Sequence, residues 1–553
     1  MRRLRHFVLA LCAAFAPDLS AAAPQQPPPS EPPSIYGDVI DVRVVNVEVV
    51  VTDRAGNRVT DLKPGDFRLK VDGKEVPVEY FTEVRGGSAV AAAAETGAAP
   101  GGPAGVEPGG RVGTSYLVFI DNYFATEFRR NEVLRDLKGQ LSHLQPEDRM
   151  AVVAWDGGKV SIVSNWSSSQ GELARAFDIA MGSKARGLDR VTELRTFRND
   201  MGFSQQTVGD SAPLSLESRL GSSGLSGQER AYADQIQRQV EGGVSAAVSA
   251  LRGFAAPPGR KVMLLLSGGW PYSIGSFLRG GAPVPSGREV RDGEELFRPL
   301  SNTANLLGYT IYPVDVPGVE SAAGDATSFG AAAGGSFQEQ EIEGSLRFLA
   351  EETGGTALVN SNRNQALART SADVASYYWL GFTPTWQRND ERHKVEVDVL
   401  RPGLLVRSRN GFLDLSRKAE VSMKVESALL FGGFPGAAPL PLKLGAVRKV
   451  KRGQIEIPIS LGLPSDILTV VPHEGKFAAE LELRIAASDA NGNSSEMPVI
   501  PLTLSSDKPP KAGGFVRYDT KITLNGKAET LVLAVYDPVS GKIATGEVKL
   551  PGL

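Results

Sequence analysis

The chain has 553 residues, 41% of them hydrophobic, a net charge of −3 at pH 7 and one cysteine. That length and apolar content suffice for several cores, about three or four domains' worth, and a mildly acidic chain with interspersed charges carries no electrostatic footprint for nucleic acid. The single cysteine, Cys12, excludes intrachain disulfides and cysteine-ligated zinc or iron–sulfur sites.

The N-terminus reads Met1-Arg2-Arg3-Leu4-Arg5, then an apolar stretch from Phe7 to Ala16, then Ser20-Ala21-Ala22-Ala23 before Pro24. A basic start, a short apolar centre and an A-x-A-like end predict a secretory signal peptide over residues 1–22, with the cut near Ala22 because Pro24 disfavours cutting after Ala23. An uncleaved anchor is the poorer alternative, since a spanning helix needs roughly 20 apolar residues. Leu11, where a lipoprotein cut wants a small residue, argues against a lipid on Cys12. Loss of Arg2, Arg3, Arg5 and Asp18 takes the net charge from −3 to −5 and leaves no cysteine, hence no thiol nucleophile. No later apolar run approaches spanning length, so the expectation is an exported chain in the periplasm, at the cell surface or outside the cell.

Residues 23–35 are rich in Pro and Gln and read as a flexible leader. Residues 36–85 read as a small β-domain: valine-dense Val42 to Val51, a turn at Asp53 to Asn57, then Phe67 to Val71, the hairpin signal Asp72-Gly73, and Val76 to Phe81. Residues 86–113, nearly all Gly, Ala and Pro, have nothing to fill a core and read as a linker.

From 114 to 375 strands alternate with helices. Tyr116 to Ile120, Met150 to Trp155, Val262 to Leu266, Thr310 to Val314 and Thr356 to Val359 read as strands, with Val160 to Val163 as a hairpin partner; helices are expected at Glu127 to Leu144, Gly171 to Met181, Glu229 to Phe254, Glu294 to Leu307 and Ile342 to Glu352. Polar, Gly/Ser-rich insertions interrupt the pattern near 182–227 and 317–338. The fold class is α/β, a doubly wound and mainly parallel sheet covered on both faces. Residues 376–416, with strands Tyr377 to Phe382 and Lys394 to Leu400, read as an appended β-unit; 417–553 reads as a C-terminal Ig-like β-sandwich.

Several words together resemble the bacterial, Acidobacteria-type VWFA-related proteins: Val59-Thr60-Asp61-Leu62 and Asp66-Phe67; Leu117-Val118-Phe119-Ile120-Asp121; Gly259-Arg260-Lys261 leading into Leu264-Leu265-Leu266-Ser267-Gly268-Gly269; Tyr377-Tyr378-Trp379-Leu380-Gly381-Phe382; and Val406 to Phe412. The resemblance covers roughly Val42 to Leu413 and implies a von Willebrand factor A (VWA), Rossmann-like core that binds protein ligands. It also implies a metal site at the strand C-termini, where open α/β sheets bind ligands. In the family Mg²⁺ is held by a D-x-S-x-S word, a threonine and a later aspartate, an octahedral shell of hard oxygens. Here Asp121 matches the first aspartate, but Tyr123 and Ala125 replace the serines and Ser267-Gly268-Gly269 lacks the later carboxylate; neither Thr192 nor Thr196 aligns clearly with the threonine. The expectation is therefore a degenerate site without cofactor, with a residual Mg²⁺ site on Asp121 as the lesser alternative. Asp121 reads foremost as a cap or hydrogen-bonding residue of the loop entering the helix near Thr126. Asp121, Asn122, Tyr123 and Phe124, with Ser267, Trp270 and Tyr272 opposite, are candidates for a metal-free contact surface; packing beneath the insertions is an equal alternative for the aromatics.

No catalytic constellation emerges. His143, His393 and His473 stand isolated in sequence and read as solvated or structural. Ser267 lacks the first glycine of a nucleophile elbow, since Leu265 stands there, and no phosphate-binding glycine word follows a strand. Asp489-Ala490-Asn491-Gly492-Asn493 reads as an Asx turn, its glycine being misplaced for a calcium loop. Glu339, Glu341 and Glu343 read as solvated acids at a helix start. The leading expectation is a non-enzymatic protein-binding or adhesion module, its partner a protein or surface polymer. The alternatives are a self-associating envelope scaffold, a metal-dependent adhesin with a non-standard site, and an unrecognised enzyme.

Overall fold

The computed structural model describes residues 44–90, 99–100, 109–200, 227–254, 259–278, 293–316, 331–416, 418–419, 421–422, 425, 438–450, 454–473, 475–489, 498–525 and 528–550. The expected signal peptide, the leader, the Asp489–Asn493 turn beyond its first residue, and most of both insertions lie outside them.

The first strands are β1 (Val45–Thr52), β2 (Phe67–Val71), β3 (Lys74–Val76), β4 (Tyr80–Arg85), β5 (Ser88–Ala89) and β6 (Ala99–Pro100). Asp72 and Gly73, at φ +49° and +77°, make the left-handed two-residue turn that joins β2 to β3. The α/β unit follows: β7 (Thr114–Asp121), α1 (Glu127–Gly139), β8 (Arg149–Trp155), β9 (Val160–Ser167), α2 (Gln170–Gly182), α3 (Gly187–Asp200), α4 (Gly227–Gly253), β10 (Arg260–Ser267), α5 (Ile274–Leu278), α6 (Gly293–Leu307), β11 (Tyr309–Asp315), α7 (Ala331–Thr353) and α8 (Ala366–Val374).

Its sheet has the order β11-β10-β7-β8-β9, parallel throughout except for β9, which runs antiparallel to β8 at the edge. Every residue of β7 is buried, as a central strand with both faces covered requires. Tyr116, Val118 and Ile120 pack with Val133, Leu134 and Leu137 of α1 and Phe177 of α2; Leu117 and Phe119 pack with Val244 of α4, Phe297 of α6 and Leu349 of α7. Helices thus cover both faces.

Three expectations need correction. Thr356 to Val359 is not a strand but a single parallel bridge, Val314 to Leu358. Gly355 crosses so close to the sheet that a Cβ there would lie 1.9 Å from the Ile311 carbonyl oxygen, and a 3₁₀ turn begins at Asn360, leaving one residue free to pair. The polar insertion expected from 182 contains α3, anchored because Val191 and Leu194 enter the core and Phe197 stacks on Tyr232 at 4.3 Å.

The third correction concerns the flanks. Strands β12 (Tyr377–Phe382), β13 (Glu391–Val399), β14 (Leu405–Ser408) and β15 (Gly411–Asp414) do not form a separate appended unit. β12 lies between β1 and β4, β14 pairs with the other edge of β1, and β13 pairs with β2. Phe67, Phe81 and Tyr378 meet at ring-centroid distances of 5.2–5.9 Å, and the Tyr378 hydroxyl donates to the Val59 carbonyl at 3.0 Å. The two flanks are one β-body, with the α/β unit inserted between β6 and β12. Even the ends of the expected linker join it, Ala89 and Val112 being buried with Trp379.

Buried charge ties this β-body to the α/β unit. Arg260 of β10 pairs with Glu48 of β1 at 3.2 Å with both side chains buried, and its guanidinium lies 4.2 Å from the Tyr377 ring centroid. Thr310 of β11 donates to the same glutamate at 3.1 Å. Near the other end of β1, Asp373 of α8 accepts from Arg58, Arg407 and the Tyr312 hydroxyl. Burial pushes the Asp373 carboxyl up, but these cations and the hydroxyl outweigh it and hold it below the usual carboxylate range.

The C-terminal region comprises β16 (Ala438–Pro439), β17 (Leu442–Leu444), β18 (Arg448–Lys449), β19 (Gln454–Pro464), β20 (Val471–His473), β21 (Lys476–Asp489), β22 (Val499–Ser506), β23 (Phe515–Asn525), β24 (Ala528–Tyr536) and β25 (Ile543–Lys549). They form two sheets, β16-β25-β24-β21-β20 with β22 beside β21, and β17-β19-β18 with β23 beside β19. Alternate residues Ile455, Ile457, Ile459 and Leu461 of β19 share one core with Leu481, Leu483, Leu531 and Leu533 of the facing sheet, the period-2 burial of a sandwich.

Candidate functional site

Strand β7 has β8 on one side and β10 on the other, so the loops leaving β7 and β10 diverge at their C-terminal ends and open the crevice where doubly wound sheets take ligands. The last residues of these strands are Asp121 and Ser267. Of the seven residues singled out in the sequence, Asp121, Ser267 and Trp270 meet directly and Phe124 packs beside them, while Asn122, Tyr123 and Tyr272 turn to other partners.

Asp121 is fully buried. Its Oδ1 accepts from the backbone N–H groups of Tyr123 (3.0 Å) and Phe124 (3.1 Å), the local turn chemistry of aspartate. Its Oδ2 accepts from the Ser267 hydroxyl at 2.8 Å and the Trp270 indole N–H at 2.9 Å. Asp121 therefore organises the loop, while the N-cap of α1 is Thr126. Burial pushes the Asp121 carboxyl up to about 6, with the four donors opposing that rise.

The neighbours are also turned inward. Asn122, 2% exposed, accepts from Arg130 at 2.7 Å through its side chain and from the Arg186 N–H at 2.7 Å through its carbonyl. Phe124 sits against Gly269, where any Cβ would approach the ring to 2.5 Å. Trp270 is fully buried and stacked on Phe297 at 6.0 Å, and Ser345 donates to its carbonyl at 2.6 Å. As exposed contact residues Asp121, Asn122, Phe124, Ser267 and Trp270 are thus ruled out, because the loop folds its polar atoms onto one another and its rings into the core. Tyr123 and Tyr272 remain half-buried: Tyr123 packs on Trp155 and accepts from Arg190 at 2.6 Å, and Tyr272 meets Phe348 edge-on.

These residues do not fit a divalent cation. The Asp121 oxygens are taken, the Tyr123 hydroxyl faces a guanidinium, Ala125 is buried, and Gly268 supplies no carboxylate. Thr192 donates to Leu188 within its own helix at 2.9 Å, and Thr196 lies on the exposed side of α3. Among the described residues no group of three His, Cys, Asp or Glu is placed to hold a metal.

Two other expectations change. Glu339, Glu341 and Glu343 lie inside α7 instead of at its start, and Glu341 accepts from the Ser273 N–H at 2.7 Å, burial raising its carboxyl. His393 has a carboxylate partner, Asp72 Oδ2 at 2.7 Å, and stacks on Phe412. Asp72 also accepts from the Lys394 N–H, so the pair pins the β2–β3 turn onto β13.

The rim of the crevice holds what sequence reasoning missed. Gly187 at the start of α3 donates to the Ala125 carbonyl at 3.0 Å, and a Cβ on it would lie 2.4–2.6 Å from the Ala125–Thr126 backbone. The starts of α1 and α3 therefore abut. Phe128 and Leu188, the second residues of those helices, are 68% and 62% exposed, and Lys184 and Arg186 beside them are exposed too. The signal for Phe128 was present: it falls off the Val133, Leu134, Leu137 stripe.

Asp121 also sets a pH dependence. Its folded value near 6 exceeds the ordinary 3.8, so the folded chain holds this proton more tightly than the unfolded one. The group costs stability above pH 6, and the cost vanishes as pH falls below about 4, a span worth about 3 kcal/mol. Asp315, likewise raised to about 6 by burial, acts in the same direction. Urea midpoints of wild type are expected to rise from about pH 7.5 to about pH 5, and Asp121→Asn should remove part of that rise. Parallel profiles in the two proteins would show that the carboxylate is solvated.

The protein is a mixed α/β chain with a mixed, mainly parallel sheet and a β-rich C-terminal region. No family model matches it, and no curated protein does. Among solved structures it is similar to the TFIIH p34 N-terminal domain (12% identity, 47% of this chain and 96% of that one, TM-score 0.18). It is also similar to the pilus adhesin SpaC from Lactobacillus rhamnosus GG in its open conformation (8% identity, 81% of this chain and 57% of that one, TM-score 0.26). No helix among the described residues is long and apolar enough to cross a membrane.

Proposed function

We propose that this chain is an exported, non-enzymatic VWA-type module that binds a protein or surface polymer, as in adhesion or envelope assembly, without a bound cation. The observation that carries this reading is the pair Phe128 and Leu188. Two large apolar side chains stand exposed beside the switch point of a doubly wound sheet, where such folds take their ligands, and exposed apolar surface at a rim marks interaction sites. The basic, apolar and small-residue order of Met1 to Ala23 supports export, and the absence of cysteine after Cys12 suits a chain that forms no disulfides.

The test is photo-crosslinking from the rim to envelope and culture-fluid fractions, comparing wild type with Phe128→Asp/Leu188→Asp. Truncating an interface anchor costs more than about 1.4 kcal/mol, so partner capture should fall at least about tenfold. The melting profile should be unchanged, since surface substitutions stay within about 0.5 kcal/mol. Undiminished capture would remove the rim from the function. Loss of a concentration-dependent rise in light scattering in the variant, with no foreign partner captured, would favour the self-associating scaffold.

A further inference from the structure

We infer that Ser267 and Trp270 stand in for a divalent cation on Asp121, so that the strand-end crevice is a closed, self-liganded site tying the β7 loop permanently to the β10 loop. A carboxylate offers about four acceptor positions, and here four donors fill them: two backbone N–H groups on one oxygen, a hydroxyl and an indole N–H on the other. The last two come from the β10 strand end and its loop, the side from which the family's later aspartate would approach. What a cation would do by charge, the donors do by hydrogen bonds that are strengthened because the acceptor is ionised.

The surroundings hold the donors in place. The Trp270 ring lies against Gly243, where a Cβ would come within 2.8 Å of it, and stacks on Phe297, while Ser345 holds the Trp270 backbone carbonyl. A hard cation would have to unstack this indole, turn away the Ser267 hydroxyl and recruit oxygen ligands from positions that carry tyrosine, alanine and glycine. The tyrosine among these is itself engaged, since the Arg190 guanidinium donates to the Tyr123 hydroxyl and lies 4.6 Å from its ring centroid. The consequence is a rim whose shape is set by folding alone, and a partner interaction indifferent to chelators. The donor arrangement stands on the geometry; its meaning as a replaced cation rests on the VWA-type reading.

The experiment uses the full mature chain with ¹⁵N-labelled indoles. The Trp270 indole N–H resonance, assigned by its loss in Trp270→Phe, is followed against Mg²⁺ and Ca²⁺, with calorimetric titration of the same ions in parallel. The expected result is an unmoved resonance and no binding heat at millimolar ion, together with a shift of that resonance as Asp121 titrates near pH 6. A resonance displaced by Mg²⁺, with binding abolished in Asp121→Asn, would overturn the inference. So would a Trp270 indole that exchanges with solvent as fast as a free one. Rim capture by Phe128 and Leu188 is read separately: a cation-binding chain that still captures its partner sinks the inference alone, and a cation-silent chain without rim-dependent capture sinks only the proposed function.

Discussion

Trp270→Ala is expected to lower the stability of the folded chain by about 3–5 kcal/mol, the range for removing a large buried aromatic. Two losses add. The ring vacates a fully buried place between Phe297 and Gly243, and the Asp121 carboxylate keeps its charge with one donor fewer. Trp270→Phe shifts the balance between them, since it keeps a six-membered ring in the site while losing the N–H, at about 1.5–3 kcal/mol for a hydrogen bond to a charged group, and the outer ring atoms that lie against Gly243. The phenylalanine variant carries a second, independent signature. With one charge-stabilising donor gone, the Asp121 value rises further above 6, so the loss of stability with rising pH extends to higher pH than in wild type. Urea denaturation at several pH values reads both effects. A Trp270→Phe variant as stable as wild type, with an unchanged pH profile, would mean that the indole N–H contributes nothing.

Glu48→Ala is expected to cost about 3–5 kcal/mol, because it strands the Arg260 guanidinium in a site where it is 1% exposed. Arg260→Ala should cost a similar amount by stranding Glu48. Replacing both, Glu48→Gln with Arg260→Met, should cost less than the two single alanine variants combined, since neither member of the pair is then left as a buried charge without the other. Where the pair sits decides what the losses look like. It joins β1 of the β-body to β10 of the α/β unit, and Thr310 adds a bond to the same glutamate. Weakening that junction should split the calorimetric transition, the β-body melting before the α/β sheet. A single transition merely shifted downward would show that the two bodies unfold together whatever the junction contributes.

Much of the candidate site was legible because its parts are local words. Asp121 closes a buried strand, Ser267 closes another, and no carboxylate follows at Gly268 or Gly269. What could not be read was the direction each side chain takes. A phenylalanine after a strand is equally an exposed anchor or a core residue until Gly269 is seen to make room for its ring. The bond from Trp270 to Asp121 spans 149 residues and leaves no periodic trace. Phe128 and Leu188 stand exposed at their helix starts, and helical periodicity marks only the apolar residues that keep to a buried stripe.

The sequence by itself determined the elements and the class. Unbroken apolar runs made β7 and β10 central strands, alternation made β19 and β21 the walls of a sandwich, and Asp72-Gly73 set a hairpin, because each of these is fixed by the backbone within a few residues. Only the tertiary structure decided that β12 and β14 embrace β1 across more than 300 residues, that Val191 and Leu194 draw a helix out of a polar stretch, and that the Asp121 carboxylate is answered by the indole N–H of Trp270. Those outcomes rest on side-chain complementarity between distant segments: which strand edge is left unpaired, which glycine leaves room for a ring, which donor reaches a buried charge. Local propensity carries no record of a partner that arrives from the far end of the chain.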